Sequence, residues 1–227
     1  MGKLDFFFHP RNIAVIGATP KEGKLGRVVF ETLTNKFKGK VYPVNPNYEE
    51  VLGYKSYPSV KELPESLDLA IIIVPAPIVP SVVKDCVDAN VKGIIIISGG
   101  FSEIGPEGAK LEEEIKRTIE GTGVRVIGPN CLGVYNAFTG VDTFFLPEDK
   151  MRRPPIGNIS LISQSGAFAA AIMDWAAYEG VGIGKAVSYG NKLDVDDIEL
   201  LEYFAEDPQT KVITMYIEGL KPNTGRE

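Results

Sequence analysis

The residues best suited to chemistry form a glycine-rich loop near the N-terminus. The β-branched run Ile13–Ile16 leads into Gly17–Gly26, a segment that contains Lys21 and Lys24 and precedes a helical pattern. A strand that turns through glycines into a helix presents free backbone N–H groups and the positive end of the helix to a phosphate. Each lysine would add a charge-assisted hydrogen bond worth about 1.5–3 kcal/mol. The loop predicts a phosphate site, with a tight turn that binds nothing as the alternative.

The same loop lacks the markers of two common nucleotide sites. Five residues separate Gly17 from Gly23, so the spacing differs from the G-x-G-x-x-G of dinucleotide-binding folds. The second strand ends at Asn45, where those folds place an acid. A Walker A loop would need a glycine at Ala18 and a hydroxyl residue at Leu25. NAD and Mg·ATP are therefore disfavoured as ligands of this loop.

Turns rich in proline, glycine and serine follow three more apolar runs. They are Val74–Pro77, Ser98–Phe101 and Gly128–Cys131. Ligands of open α/β sheets bind in the crevice outside the carboxyl ends of the strands. Together with the first loop, four such turns at one edge predict a long, narrow binding site.

A second group of candidate residues lies in the C-terminal half. Ser163, Ser165 and Gly166 stand between a strand and a helix, where they suit an anion, although an ordinary N-cap is an equal alternative. Their spacing does not match the G-x-S-x-G of a nucleophilic serine. Glu218 ends the last strand and either orients a catalytic group or is a solvated loop acid. Four further acids are interpreted as first-turn residues that complement a helix dipole, namely Asp194, Asp196, Asp197 and Glu199.

The composition excludes several functional classes. The net charge of −6 without a basic stripe argues against nucleic acid and anionic membranes as partners. His9 is the only histidine, which excludes a zinc cluster and disfavours a Ser-His-acid hydrolase. Cys86 and Cys131 have no CxxC spacing, no apolar run approaches a membrane span, and the N-terminus does not resemble a signal peptide. A reduced, cytoplasmic protein without a metal site is predicted.

Apolar runs alternate with helical patterns along the chain. Runs that are apolar on both faces indicate buried strands of a parallel sheet, and the βαβα order predicts a doubly wound α/β fold. The first part predicts strands Ile13–Ile16, Lys40–Val44, Leu69–Val74, Gly93–Ile97 and Val124–Ile127 with helices Arg27–Asn35, Val60–Leu63, Ile78–Ala89 and Glu107–Glu120. The second part predicts strand Asn158–Ile162, helix Gly166–Tyr178, strand Gly184–Ser188, helix Val195–Ala205 and strand Lys211–Ile217.

These patterns predict two domains. Residues 1–145 form the first and residues 156–227 the first half of the second, joined by a charged, proline-rich linker at about 146–155. Three strands are expected in the second domain, which leaves a long edge and an uncovered face. We therefore expect this domain to continue beyond Glu227 and to offer an apolar surface to a partner.

Together these motifs resemble the α subunit, or α half, of the ADP-forming acyl-CoA synthetases and, more distantly, the α subunit of succinyl-CoA synthetase. The resemblance is carried, in family order and over nearly the whole chain, by Gly17–Gly26, Tyr42–Pro46, Val74–Pro77, Ile127–Asn130, Ser163–Gly166 and Asp207–Thr210. It implies a Rossmann-like CoA-binding domain followed by part of a flavodoxin-like domain of the succinyl-CoA synthetase type. The implied reaction converts acyl-CoA, ADP and phosphate to acid, ATP and CoA through an acyl phosphate and a phosphohistidine.

The resemblance also implies roles for particular residues. The CoA phosphates would meet the loop at Thr19–Gly26, and the turns Val74–Pro77 and Ser98–Phe101 would flank the pantetheine arm. The implied CoA contacts are Gly17, Ala18, Thr19, Pro20, Lys21, Gly23, Lys24, Gly26, Asn45, Val74, Pro75, Ala76, Pro77, Ser98, Gly99 and Asn130. Ser163, Ser165 and Gly166 would cradle the phosphoryl group, and Glu218 would orient the histidine through its second nitrogen.

The chain departs from the family pattern in two places. The family's histidine lies beyond the strand that matches Ile213–Glu218, after the last residue of this chain, and His9 does not match it. Family members often carry a lysine near Asn47 or Tyr48, where this chain has uncharged residues. The phosphohistidine is therefore expected outside this chain.

The resemblance implies partners as well. ADP or ATP with magnesium would bind a separate ATP-grasp β subunit or domain, in a hetero- or homo-oligomer. By this interpretation the chain alone binds CoA and catalyses nothing. The alternative is a non-catalytic CoA-binding module of a multidomain protein such as an acetyltransferase. A nucleotide-sugar or NAD enzyme is disfavoured by Asn45 and the loop spacing.

Overall fold

The computed structural model describes residues 4–220 of the 227. Its strands are β1 (Asn12–Ile16), β2 (Lys40–Val44), β3 (Glu50–Val51), β4 (Tyr54–Lys55), β5 (Leu69–Ile72), β6 (Gly93–Ile96), β7 (Arg125–Ile127), β8 (Gly133–Asn136), β9 (Val141–Asp142), β10 (Ile159–Ser163), β11 (Ile183–Ser188) and β12 (Val212–Tyr216). Its helices are α1 (Asp5–Phe8), α2 (Leu25–Lys36), α3 (Val79–Asp88), α4 (Pro106–Ile119), α5 (Gly166–Glu179) and α6 (Asp197–Glu206). Short 3₁₀ turns span Val60–Glu62, Ala76–Ile78 and Ser102–Ile104.

The first sheet is parallel throughout, in the spatial order β2-β1-β5-β6-β7. Successive residues of each strand point to opposite faces. One face, with Ala14 and Ile72 among its residues, packs on α3 and α4, while the other, with Ile13 and Ile71, packs on α1 and α2. The predicted doubly wound α/β fold is confirmed, with element bounds that differ by a few residues at their ends.

The second sheet has the order β12-β10-β11-β8-β9 and therefore five strands, not the expected three. Strands β10, β11 and β12 are parallel, whereas β8 runs antiparallel to β11 and β9 antiparallel to β8. Strands β8 and β9 were not predicted because they are four and two residues long and no helix separates them from β7. The chain thus enters the second sheet before residue 145. The domain bounds 1–145 and 156–227 stay a prediction, and residues 1–3 and 221–227 lie outside the described part.

The two sheets share one hydrophobic core. Ile13 and Val15 of the first sheet belong to the same buried cluster as Ile162 of β10, Val187 of β11 and Phe204 of α6. Helix α1 joins them further, since the Phe8 carbonyl accepts a hydrogen bond of 2.9 Å from Nδ2 of Asn136 in β8. This packing fixes the carboxyl edges of both sheets relative to each other.

The predicted linker contains neither helix nor strand, but it is packed against the protein. Arg153 donates to Asp142 at 2.7 Å and to the carbonyl oxygens of Phe144 and Leu146, both at 3.0 Å. Met151 is buried. Charge and proline content predicted a connection between domains, whereas only the tertiary structure provides the buried carboxylate that anchors it.

A buried carboxylate at the start of β5 makes the first domain sensitive to acid. Asp68 accepts hydrogen bonds from the Arg11 backbone at 2.9 Å and guanidinium at 2.8 Å, and lies 2.8 Å from Nζ of Lys92. The Arg11 hydrogen bond holds the pKa of Asp68 well below its usual range, against the opposing effect of burial. Such a group stabilises the fold above the unfolded-state pKa and ceases to do so as the pH falls toward the folded-state pKa.

We expect Asp68→Asn to lower the free energy of unfolding by about 1–2 kcal/mol at pH 7. This loss is smaller than that for a fully buried ion pair, because water screens the exposed Arg11 side chain. The difference from the parent should shrink as the pH falls below about 4. Urea unfolding at several pH values measures it. Asp149→Asn, at an exposed position, is the control and should change stability by less than about 0.5 kcal/mol. A gap that stays constant down to pH 2 would contradict the assignment.

Candidate functional site

The loop between β1 and α2 is folded so tightly that two of its glycines admit no side chain. Gly17 has a φ of +96°, and a Cβ there would lie 2.2 Å from the carbonyl oxygen of Ile73. A Cβ on Gly26, in the first turn of α2, would lie 2.1 Å from the carbonyl oxygen of Gly17. Lys24 caps this helix without a side-chain hydrogen bond. The loop therefore presents the helix N-terminus directly beside the end of β1, as phosphate binding requires.

Asn45 supports the loop from the end of β2. Its Nδ2 donates to the carbonyl oxygen of Ala18 at 2.8 Å, and its Oδ1 accepts from the backbone N–H of Asn47 at 3.0 Å. An aspartate at this position would have no N–H to donate to Ala18. The residue that replaces the acid of a dinucleotide site is thus a structural brace in this loop.

Tyr48 is a residue that the sequence analysis did not connect to the loop. Its hydroxyl lies 3.4 Å from Oγ1 of Thr19, which in turn accepts from the backbone N–H of Lys21 at 3.2 Å. The Thr19 hydrogen bond and the charge of Lys21 lower the pKa of Tyr48. Lys21 thereby brings positive charge close to the Tyr48 hydroxyl.

A first cavity of ≈ 360 Å³ opens at the carboxyl ends of β1, β2 and β5. Its walls are mainly apolar, with Asn45, Asn47, Ser59 and Asp85 as the polar residues. Four of the predicted contacts line it, namely Gly17, Asn45, Val74 and Pro75. Ala76 lies on the 3₁₀ turn before α3 and is instead buried in the core. Pro77, on the same turn, is exposed. A cavity of this size and polarity suits a small heteroaromatic ring.

Ser98 ties the ends of two strands together. Its hydroxyl donates to the carbonyl oxygen of Val74 at 2.6 Å and accepts from the Val74 N–H at 3.2 Å. Gly99 stands next to the Asn130 side chain, and the Asn130 N–H donates to the Ser98 carbonyl at 2.9 Å. The predicted turns after β5, β6 and β7 thus form one continuous wall.

A second cavity of ≈ 710 Å³ lies where the carboxyl edges of the two sheets meet. The first domain contributes Ser102, Glu103 and Asn130. The second contributes the start of α5, the segment Gly190–Asn191, and Glu218. The structure therefore gathers Asn130, Ser165, Gly166 and Glu218, which the sequence analysis had singled out at widely separated positions. Ser163 is fully buried and does not line this cavity.

The N-terminus of α5 is held by its own side chains. Oγ of Ser165 accepts from the Phe168 N–H at 3.2 Å, the geometry of an N-cap, and Oγ of Ser163 donates to the Ser165 carbonyl at 2.7 Å. Gln164 is a residue whose role the sequence analysis missed. Its Oε1 accepts from the backbone N–H groups of Glu218 at 2.9 Å and Gly219 at 3.3 Å. The helix start and the acid are thus joined by one side chain.

Asn191 is a second missed residue, which links the two domains. Its Nδ2 donates to Glu103 at 2.7 Å and to Glu112 at 2.6 Å, while its backbone N–H donates to the Pro129 carbonyl at 3.0 Å. Burial opposes ionisation of Glu103, but the hydrogen bonds from Asn191 and three backbone amides lower its pKa overall. The only sequence signal was the Gly-Asn pair, which marks a turn but not its partner.

The acids near the start of α6 have more varied roles than predicted. Asp196 is the N-cap, accepting from the Ile198 and Glu199 backbone N–H groups at 3.1 and 3.3 Å. Asp194 and Glu199 instead pair with Arg125 of β7, at 2.9 and 2.7 Å. Asp197 is buried. The interpretation as dipole-complementing acids missed these partners because Arg125 lies about seventy residues away in the sequence.

Neither of two potential nucleophiles, Cys131 and His9, is suited to act in the second cavity. Cys131 lines it, but burial raises the pKa of its thiol to about 12, so it stays protonated at neutral pH. His9 lies at the end of α1 and lines a different cavity with Asp5 and Tyr203, where burial lowers its pKa. The second cavity thus places the α5 N-terminus beside the carboxylate of Glu218.

Two negative findings apply to residues 4–220. No group of three or more His, Cys, Asp or Glu side chains in this range is arranged to hold a metal ion. None of the helices described there has the length and apolar character needed to cross a membrane.

The fold is that of a two-domain α/β protein, with a glycine-rich loop in its first domain and one cavity at the edge where the two sheets meet. Residues 11–137, more than half of the chain, match the family model described as a CoA binding domain. The chain belongs to this CoA-binding domain family. Residues 156–226 match the succinyl-CoA ligase-like flavodoxin domain.

Relatives support the resemblance inferred from the motifs. The chain is 46% identical over 218 residues to an ADP-forming acetate–CoA ligase I of Archaeoglobus fulgidus, covering 96% of this chain and 31% of that protein. It is 45% identical to the α subunit of ADP-forming acetate–CoA ligase II of Pyrococcus furiosus, covering 96% of this chain and 47% of that subunit.

A solved structure is also similar. It is a dinucleotide-forming acetyl-coenzyme A synthetase 1 of Ca. Korarchaeum cryptofilum in complex with phosphate and ADP, at a TM-score of 0.92 and 42% identity. The match covers 100% of this chain and 48% of that one. The resemblance to α subunits of ADP-forming synthetases is confirmed, and the chain spans about a third to a half of these relatives.

Proposed function

We propose that the protein is the CoA-binding portion of an ADP-forming acyl-CoA synthetase. The overall reaction converts acyl-CoA, ADP and phosphate to the free acid, ATP and CoA. The observation that carries this proposal is the second cavity, where the start of α5 and Glu218 face the first domain's Asn130. A carrier held in the first domain can there present its acyl group to a phosphate held in the second.

The loop and the first cavity are proposed as the CoA site. The phosphates would lie at Thr19–Gly26, where Lys21 and Lys24 are exposed and the start of α2 is close. The first cavity would take the heteroaromatic end of the coenzyme. The wall formed by Val74, Ser98 and Asn130 leads from there toward the second cavity and would guide the pantetheine arm.

Ser165, Gly166 and Glu218 are proposed as the phosphoryl site, with Ser163 supporting the turn beneath them. The resemblance implies that a histidine outside this chain carries the phosphoryl group and that Glu218 orients its imidazole. His9 lines another cavity and is not a candidate for this role. The start of α5 would stabilise the negative charge of the phosphoryl group.

The nucleotide is proposed to bind elsewhere, on an ATP-grasp β subunit or domain that would also hold magnesium. Three relatives are named as α subunits, which supports an assembly with further subunits. A cytoplasmic location remains a prediction.

Calorimetric titration of the protein with CoA, NAD and ATP tests the ligand. CoA is expected to bind most tightly, and tighter binding of NAD would contradict the proposal. Formation of ATP from acyl-CoA, ADP and phosphate by the full protein with its partner tests the reaction. Since no histidine of residues 4–220 lines the second cavity, a non-catalytic CoA-binding module is the second candidate. It would bind CoA and form neither ATP nor a phosphoenzyme.

Replacement of Lys21 or Lys24 by alanine should weaken CoA binding by about fivefold to tenfold each, because an exposed charge-assisted hydrogen bond to phosphate is lost. The difference from the parent should narrow at high salt, which screens exposed charges. Titration at 50 mM and 500 mM salt measures both effects. Lys38→Ala, an exposed lysine beyond α2, is the matched control. An equal loss in the control would show that overall charge, not the loop, determines affinity.

A further inference from the structure

A buried lysine stands behind the second cavity, and the reaction described above leaves it without a role. Lys192 is 8% exposed and adopts a left-handed backbone conformation with a φ of +47°. Its Nζ lies 2.8 Å from Oδ2 of Asp197, which is 4% exposed. The other oxygen of Asp197 accepts a hydrogen bond from the hydroxyl of the fully buried Tyr189. Burying a charged pair costs free energy. The presence of this buried pair, held in place by further hydrogen bonds, therefore calls for an explanation.

The remaining contact of Lys192 reaches the turn that carries Glu218. Its Nζ donates to the carbonyl oxygen of Gly219. The N–H groups of Glu218 and Gly219 both donate to Gln164. The turn is therefore held from one side by the start of α5 and from the other by the buried lysine.

The segment around Lys192 is itself fixed on the first domain. The backbone N–H of Asn191 donates to Pro129, and that of Leu193 donates to Gly128, both at 3.0 Å. Val195 donates to the Val126 carbonyl at 3.1 Å. Lys192 thus lies between the turn that ends β7 and the turn that follows β12.

We propose that Lys192 is a positioning residue that sets the place of Glu218 relative to the first domain. The inference rests on the proposed function, in which Glu218 must meet a group delivered by that domain. Because Asp197 fixes the Lys192 ammonium group, the hydrogen bond that this group donates to Gly219 has a fixed direction. A displacement of a reacting group by about 1 Å can lower the rate by about 100-fold. Loss of Lys192 should therefore lower kcat and leave CoA binding intact.

The test uses the full protein with its partner. Lys192→Met alone leaves Asp197 buried without its counter-ion, a change that can prevent folding. The double variant Lys192→Met/Asp197→Asn removes both charges and keeps an acceptor for Tyr189. The matched control is Lys185→Met/Asp207→Asn, which removes a second buried Lys–Asp pair, 2.6 Å apart, that does not line the second cavity.

We expect the Lys192 double variant to lose about tenfold to 100-fold in kcat for ATP formation, with the KM for CoA changed less than about twofold. Hydrogen exchange at the Glu218 and Gly219 amides should accelerate in this variant and not in the control, measured well below both melting temperatures. An equal loss of kcat in the control, or unchanged exchange at the two amides, would overturn the inference.

Exchange in the parent protein gives a first test without any variant, since fast exchange at the Glu218 and Gly219 amides would contradict a held turn. If the parent forms no ATP, the proposed function fails. The exchange comparison between the two double variants then still determines whether Lys192 holds the turn.

Discussion

Gly26→Ala is expected to weaken CoA binding by about 100-fold. In an ordinary helix this change would stabilise the protein by about 1 kcal/mol, because alanine is the better helix former. Here the new Cβ would lie 2.1 Å from the Gly17 carbonyl oxygen, so α2 must move away from the end of β1. The helix N-terminus and the loop amides would then no longer converge on one phosphate, and overpacking alone costs about 1–3 kcal/mol.

Calorimetry with CoA measures this effect, and thermal unfolding measures any accompanying loss of stability. Gly121→Ala is a suitable control, since a Cβ there meets no atom within 4 Å and the residue lies outside the loop. Its φ of +72° should cost stability without affecting CoA affinity. If Gly26→Ala binds CoA as the parent does, the loop is not the phosphate site.

Lys185→Met is expected to lower the free energy of unfolding by about 3–5 kcal/mol, the largest loss of stability that we anticipate for a single substitution in this chain. The Lys185 side chain is 1% exposed, and its Nζ lies 2.6 Å from Asp207 and 2.8 Å from Gln209. Its loss leaves the Asp207 carboxylate buried without a counter-ion. The pKa of Asp207 is lowered in the parent, because hydrogen bonds led by that from Lys185 outweigh the cost of burial.

Denaturant unfolding of the single and double variants checks this prediction. Lys185→Met/Asp207→Asn should recover most of the lost stability, because no charge remains buried. A double variant as unstable as the single one would mean that packing around Lys185, and not the unpaired carboxylate, determines the loss. The result also gives a role to Asp207–Thr210, a motif that supported the family resemblance without an assigned role.

Much of the first domain was predictable from its sequence. Runs such as Ile94–Ile97 are apolar on both faces, which only a strand between two helical layers satisfies, and the glycines of the first loop indicated a tight turn onto α2. Strands β8 and β9 were not predictable in this way. They are short, and β8 forms because β11 offers it an unpaired edge, a condition that local sequence does not encode.

In the candidate site, too, some residues could be predicted from the sequence and others could not. Glu218 and Ser165 could be singled out because both stand where a strand ends or a helix begins, although the sequence left a solvated acid and an ordinary N-cap as alternatives. Asn191 and Gln164 could not, because an amide side chain in a turn is common and only its partners distinguish it. Lys192 is a similar case, since most lysines are exposed and its burial is evident only in the structure.

The sequence by itself determined the phosphate-type loop, the alternation of strands and helices, and the resemblance to ADP-forming acyl-CoA synthetases, because these depend on residues that are neighbours along the chain. The tertiary structure alone decided that the carboxyl edges of the two sheets meet, through a shared core and the strands β8 and β9. The second cavity exists for that reason. Its residues lie up to about 120 positions apart, and only the packing of the two domains brings them together.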